Sequence, residues 1–398
     1  MTLTGTELQW RSVTGPYLRP AVPASRLTWQ VTLATIPALA AGTMLFGLHS
    51  AIIVALCAGS ALLANQLLGY LSERGGAMSA GSAMMTGTLL GLTLPPNAGW
   101  GVPVIGALIA VVMGKWLLGG AGNHLWSPVL AGRVVLQLLF PRVMLQQAWP
   151  ILGPDRLLVG DPTRTAAADP YFGWQQSVLP PDVDAWLLPR TDALLACMRR
   201  GVIDSDAPNS AGLHIDSLSQ LVNDVLPPWR DTVLGTVGGG IGETCVVCVL
   251  LGGLFLIHRG LVRWQLPASI LVAAAITAAV FPITCGGGTE SAPEQLWLPG
   301  LIHHGSAPVG LVYVLYQLTA GELVFAAFFI ATDMVTSPLR ARGQILFGLC
   351  IGVLAILLRM YGLVPGSCYW AILIMNPFVP LIDRITRSRS LASTWSNA

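Results

Sequence analysis

Apolar residues run along the chain in blocks too long for the half-buried faces of a soluble domain, and short polar or Gly/Pro-rich joints separate them. In a window of about 19 residues the blocks fall at 27–47, 51–71, 78–96, 101–118, 124–142, 239–257, 265–284, 310–332, 343–361 and 366–383. A helix needs roughly 17–25 such residues to cross about 30 Å of hydrocarbon. The pattern therefore predicts an all-α polytopic membrane protein with about ten transmembrane helices. Gly and Pro interrupt several blocks. The third ends in Leu94-Pro95-Pro96, and the eighth runs into Thr332-Asp333-Met334-Val335-Thr336-Ser337-Pro338. Such breaks are tolerated in a bilayer only where the freed backbone is buried in protein or lines a cavity.

The stretch 143–231 breaks the pattern. It carries Asp155, Asp161, Asp169, Asp182, Asp184, Asp192, Asp204 and Asp206 with many prolines, and it reads as an extramembrane segment that divides the spans five and five. The expected organisation is an N-terminal segment (1–26), a first five-helix half (27–142), the outer segment (143–231), a second five-helix half (232–384) and a tail (385–398). Five is odd, so a structural repeat between the halves is inverted across the membrane. Ala80-Gly81 in the third block and Ala320-Gly321 in the eighth are a weak echo of one. With the N-terminus inside, Arg74, Lys115, Arg259, Arg263, Arg340 and Arg342 all fall in cytoplasmic joints, while the loop 285–307 has no Lys or Arg. The positive-inside rule then places both termini in the cytoplasm and 143–231 outside.

Composition narrows the function classes. Of 398 residues 54% are hydrophobic and 10% charged, against about 25% charged in soluble domains, which excludes a soluble enzyme. Lys and Arg number 21 against 19 Asp and Glu, so no basic excess points to nucleic acid. The seven cysteines are scattered, mostly inside apolar runs, and do not form a disulfide framework. Residues 1–26 lack the apolar core and cleavage site of a signal peptide, so the first span is expected to act as the address.

Four places carry candidate chemistry. Gly235-Thr236-Val237-Gly238-Gly239-Gly240-Ile241-Gly242-Glu243-Thr244 has neither the Lys of a P-loop nor a strand before it. Its glycines read as close backbone approach at a span entrance. Glu243 would then lie at or just inside the membrane, either as a functional ionisable group or as an interfacial Glu capping amides. Cys245 and Cys248 form a C-x-x-C without a second pair nearby and read as apolar thiols. Glu322 sits in the middle of the eighth span, where a carboxylate costs about 3 kcal/mol on insertion scales; it is either a proton or cation relay or a neutral Glu bonded to a neighbouring helix. Asp333 follows at the cytoplasmic end. The loop from Gly119 through Asn123, His124 and Ser127 to Pro128 combines Gly backbone, polar groups and Trp126, a composition open to a planar ligand or to a plain connection.

Together these segments resemble one family. Thr332 to Pro338 with Arg342-Gly343 is similar to its T-D-P-V-T segment and downstream R-G. Ser82-Ala83-Met84-Met85-Thr86-Gly87 with Pro95-Pro96 is similar to its S-A-L-L-T-G…P-P span. The Gly119–Pro128 loop, Ile241-Gly242-Glu243-Thr244 and Val379-Pro380-Leu381-Ile382-Asp383 fall in the same order. The chain thus resembles the RnfD component of the Rnf electron-transport complex and its relative, the NqrB component of the sodium-pumping NADH:quinone reductase. The resemblance implies a membrane component of a bacterial inner-membrane complex that couples electron flow between ferredoxin and NAD to Na⁺ or H⁺ translocation. Its implied partners are the other membrane components and an outer-facing FMN-carrying one.

It also implies FMN, esterified to a Thr of the outer segment, and riboflavin between the spans. The matching stretch reads Ser210-Ala211-Gly212, with no Thr between Thr191 and Thr232. The expectation is therefore non-covalent FMN near Ser210, Ala211 and Gly212, or loss of this flavin, with Ser210 or Ser217 as the substitute hydroxyl if an ester forms. The riboflavin loop is altered too, with His124 and Ser127 where the family has asparagines beside Asn123. Glu243, Glu322 and Asp333 are the candidates for ion handling. A transporter or channel without redox work, or a scaffold component, stands as the alternative.

Overall fold

The computed structural model describes residues 24–71, 79–113, 125–145, 218–220, 222, 226, 229–285, 294–304, 308–333, 335–362 and 366–386. Its first half holds α1 (Ala24–Ala34), α2 (Ile36–Phe46), α3 (Leu48–Leu71), α4 (Ala80–Leu92), α5 (Gly101–Val111), α6 (Pro128–Leu139) and α7 (Pro141–Leu145). The second holds α8 (Trp229–Leu234), α9 (Val246–His258), α10 (Gln265–Val280), α11 (Val309–Thr319), α12 (Leu323–Ile330), α13 (Ala341–Leu357), α14 (Ser367–Met375) and α15 (Val379–Ile385). Each predicted apolar block contains helix.

Four stretches are long and apolar enough to cross a membrane: Arg26–Phe46, Leu48–Tyr70, Ala341–Tyr361 and Ser367–Ile385. The pair α11 and α12 adds a fifth as one span bent by 58°. Large aliphatic side chains such as Leu63, Leu67 and Leu381 stand more than half exposed on these helices, as lipid-facing residues do. The protein is a multi-pass membrane protein.

The third to seventh blocks form helices of 13, 11, 12, 13 and 16 residues. At 1.5 Å per residue, the shortest covers about 16 Å, roughly half the hydrocarbon thickness. Their ends have local causes. Helix α4 stops at Leu92 because Pro95 and Pro96 cannot donate to the carbonyls one turn back. Helix α10 stops at Val280 ahead of Pro282, whose ring disfavours helical backbone at Phe281 (ψ 141°). The chain then forms a short antiparallel hairpin, Ile283–Cys285 on Glu294–Leu296, with Ile283 opposite Leu296.

Helix α13 packs along α10 through Gly348 and Gly352, one turn apart in the small-xxx-small pattern that lets membrane helices approach closely. A methyl group at Gly352 would lie 2.7 Å from Ala273 Cβ and 2.9 Å from Ala274 N, and one at Gly348 would lie 3.0 Å from Leu266 O. Gly352→Ala is therefore expected to cost about 1–3 kcal/mol by overpacking and to lower the midpoint of thermal unfolding in detergent. Gly59→Ala, where the added methyl meets nothing within 4 Å, is the control that leaves the midpoint in place. Equal midpoints for both variants would show that this contact does not set the α10–α13 distance.

The two halves meet along α9, which lies against α1 and α2, and where α14 lies against α6. Between these helix contacts the non-helical residues Ile241 and Gly242 reach the end of α4, and buried polar groups such as Glu243 lie beside them.

Candidate functional site

The segment 235–245 is built from turns. Gly235 adopts φ +89°, and the Asp231 carbonyl at the first turn of α8 accepts the amides of Gly235 (2.8 Å) and Thr236 (3.0 Å). The chain then reaches the first half, where Ile241 N donates to Leu94 O at 3.0 Å and Gly242 N to Leu92 O at 2.8 Å. The physical reason lies in α4. In a continued helix the Leu92 carbonyl would accept the amide of residue 96, and Pro96 has none. Gly242 supplies that donor from the other half of the molecule. Close approach requires its missing side chain, since a methyl there would sit 2.8 Å from Leu92 Cβ. At Gly240 the obstacle would be the Glu243 carboxyl group, 2.7 Å away. The glycines thus let Glu243 fold back over its own turn, where it is 3% exposed.

The second carboxylate is placed by a break. Gly321, at φ +78°, ends α11 and turns the chain into α12, so that Glu322 lies at the N-terminal boundary of α12. This differs from the expected position inside a continuous span. The turn needs a residue free of Cβ strain in left-handed backbone, and Gly321 provides it. Glu322 is 1% exposed and forms an ion pair at 3.5 Å with Arg359, itself 3% exposed. Arg359 sits in a π-helical turn, Leu358–Gly362, that follows α13. Its guanidinium also donates to the Gln317 carbonyl at 2.7 Å, and Gln317 Nε2 donates to the Tyr313 hydroxyl at 3.0 Å. Glu322 Oε1 accepts Ser367 Oγ and Cys368 N, each at 3.1 Å, at the start of α14. The positive end of that helix favours an anion there.

The next residue of α14 closes the arrangement. Tyr369, fully buried, donates its hydroxyl to Glu243 Oε1. The Arg133 guanidinium from α6 lies over the same ring, 5.8 Å from its centre, a cation–π distance. The connection runs from Arg359 to Glu322, through Ser367 and Cys368 to Tyr369, and on to Glu243, with Arg133 at its flank. Two carboxylates and two guanidiniums balance. Buried charges persist in a low-dielectric interior when they are paired and hydrogen-bonded, and a connected set of this kind holds one carboxylate in relation to the other.

The structure therefore brings Glu243 and Glu322 into one network and leaves Asp333 outside it. Asp333 follows the far end of α12, about 12 Å of helix from Glu322, and its Oδ1 accepts the Val335 amide at 3.4 Å. That region forms its own junction, with Leu339 N donating to Asp383 Oδ1 at 3.2 Å and Gln344 Nε2 to Pro338 O at 3.0 Å. Ser127 opens α6; it is buried, and its hydroxyl does not cap the helix. Asn123, His124, Ser210, Ala211 and Gly212 lie outside the described residues. Cys245 is buried beside the unwound segment and Cys248 is half-buried, both as free thiols.

Sequence reading missed Arg133, Arg359, Ser367 and Tyr369. A signal for the two arginines was present, because each falls inside a predicted apolar span, 124–142 and 343–361, where a cation needs a partner. Tyr369 and Ser367 carried none, since both residue types are ordinary in a membrane helix.

Comparison with known proteins bears on what this network serves. The D component of the ion-translocating oxidoreductase complex of Stutzerimonas stutzeri is 32% identical over 92% of this chain and 91% of its own length. The D component of the Na⁺-translocating ferredoxin:NAD⁺ oxidoreductase complex of Acetobacterium woodii is 27% identical over 96% and 95%. That of the proton-translocating complex of Clostridium ljungdahlii is 28% identical over 94% and 93%. The sequence profile of the NQR2, RnfD, RnfE family matches residues 12–392, the whole apolar body with the network inside it, and the chain belongs to that family.

Proposed function

We propose that the chain is the D-type membrane component of an Rnf complex, coupling electron transfer between ferredoxin and NAD to translocation of Na⁺ or H⁺. The observation that carries this reading is the charge-balanced network Arg359–Glu322–Tyr369–Glu243–Arg133, buried where the two halves meet. A carboxylate that gains or loses a cation or proton changes the balance of that network and so biases the unwound segments that hold it. Glu243 and Glu322 are the ion-handling groups of this proposal, and Asp333 stands at the opposite end of α12 on the ion's path. Ten spans in two inverted five-helix halves give the arrangement, with both termini cytoplasmic in the bacterial inner membrane and 143–231 outside. The remaining components of the complex, including an outer FMN-carrying one, are the partners.

FMN is assigned as a non-covalent cofactor near Ser210, Ala211 and Gly212, and riboflavin to the loop around Asn123, His124 and Ser127. A phosphoester to Thr does not fit a stretch without Thr between 191 and 232. Flavin, when bound, supplies one- and two-electron transfer; the chain's residues hold it and set the charge around it. Acid precipitation of the protein, taken from the intact complex, is expected to release its flavin into the supernatant. Flavin kept in the pellet would show that a serine, Ser210 or Ser217, carries the ester. Absence of flavin from both fractions would remove the electron-carrier role and leave a channel or scaffold.

The coupling itself is tested in vesicles containing the reconstituted complex, with ferredoxin-driven NAD⁺ reduction and ion uptake followed together. Glu322→Gln is expected to lower ion uptake at least 10-fold more than electron transfer, by analogy with the loss of one charged hydrogen bond, about 1.5–3 kcal/mol. Equal ion-to-electron ratios in variant and wild type would eliminate Glu322 as a coupling group.

A further inference from the structure

Beside Glu243 lies a cleft of about 20 Å³, about the room that one water-sized body requires. Thr232, Gly238, Gly239, Glu243, Thr244 and Ala320 line it. The unwound turn 235–245 forms one wall and the break between α11 and α12 the other. Thr232 is 4% and Thr244 8% exposed, and the hydroxyl oxygens of both are enclosed without a hydrogen-bond partner. A buried hydroxyl left unmatched is unfavourable, and two at one cleft mark a place where something supplies the missing contact.

The donor set defines what that is. The named side chains offer a carboxylate and two hydroxyls, all oxygen, and no thiol or imidazole lines the cleft. Non-helical backbone at 238–239 and 320 brings peptide groups to its walls. The C-terminal end of α11, an eleven-residue helix, adds the negative end of a helix dipole. Hard oxygen ligands select alkali and alkaline-earth ions, and Ca²⁺ sites recruit several carboxylates. One carboxylate in a space of this size matches one dehydrated monovalent cation.

We propose that this cleft binds a single dehydrated Na⁺ ion, held by the Glu243 carboxylate, the Thr232 and Thr244 hydroxyls and peptide carbonyls of the two unwound segments. The site rests on the ion-coupling function proposed above and gives it a location. Glu243 is then shared, with one carboxylate oxygen accepting the Tyr369 hydroxyl while the group faces the cation. Occupancy of the cleft is transmitted to Glu322 and Arg359 through the first residues of α14.

The test is ²²Na⁺ binding by equilibrium dialysis to the intact purified complex in sodium-free choline buffer, with Li⁺ and K⁺ as competitors. The wild-type complex is expected to show a saturable site, and Thr232→Val with Thr244→Val to weaken it at least 10-fold. Thr244→Ser, which restores a hydroxyl on the same backbone, is expected to recover the affinity lost in Thr244→Val. Assembly of each variant is checked by flavin content and gel filtration, so a folding failure is recognised before binding is read. Unchanged ²²Na⁺ binding in an assembled double-Val complex overturns the site. So does saturable binding in the wild type that K⁺ displaces as well as Na⁺ does, which marks an unselective surface. If ²²Na⁺ does not bind at all while proton uptake still follows electron transfer, the Na⁺ site fails and the coupling function stands. Loss of ion uptake from the wild-type vesicles overturns the coupling function itself.

Discussion

Arg359→Met is expected to destabilise the protein by about 3–5 kcal/mol, the cost of stripping one partner from a buried ion pair. The guanidinium is 3% exposed and joins Glu322 at 3.5 Å and the Gln317 carbonyl at 2.7 Å. Its removal leaves the Glu322 negative charge in a site with almost no contact with solvent or lipid headgroups. The double variant Arg359→Met, Glu322→Gln removes both charges, and it is expected to recover most of the thermal midpoint that the single variant loses. Recovery follows because a buried pair replaced as a pair is often neutral in stability, whereas a broken pair is not. Midpoints and membrane yields of the four proteins in the cycle provide the measurement. If the double variant is as unstable as Arg359→Met alone, the charge pair is not the source of the loss, and packing of the Arg359 side chain is.

Glu243→Gln is expected to abolish ion uptake by vesicles carrying the complex, to below about 1% of wild type, with assembly retained. Gln keeps the shape of the side chain over Gly240 and can still accept the Tyr369 hydroxyl, so the turn remains as built. What it loses is the charge that takes up a cation or proton. Tyr369→Phe is the graded companion. A hydrogen bond to a charged group contributes about 1.5–3 kcal/mol, so uptake is expected to fall roughly 10- to 150-fold, while the ring stays beneath Arg133. Wild-type uptake in Glu243→Gln would rule the residue out of the ion path, and a Tyr369→Phe loss as complete as that of Glu243→Gln would make the hydroxyl more than a positioning group.

The same network explains why chemistry that was visible in the sequence still needed the fold to become a site. Glu243 and Glu322 stand out in an apolar chain because an ionisable group in hydrocarbon is expensive wherever it sits. The glycines of 235–242 likewise announced close backbone approach. Neither feature names its partner. Glu322 finds Arg359 across 37 residues and Glu243 finds Tyr369 across 126, separations over which periodicity carries no information. Asp333 looked equivalent to the two glutamates by residue type, and the fold gives it to a different junction.

The sequence by itself determined the membrane class, the apolar blocks and the Gly/Pro breaks in them, because hydropathy over about 19 residues and the missing amides of Pro95 and Pro96 are local properties. It also determined, through ordered motifs, the family to which the chain belongs. The tertiary structure decided that Gly242, from a segment distant in sequence, completes the hydrogen bonding of α4. It also decided that Arg359 pairs with Glu322 and that Tyr369, beneath Arg133, donates to Glu243. Those outcomes depend on which unsatisfied donor, acceptor or charge comes within about 3 Å of which other one, and that is settled only when segments distant in sequence are packed together.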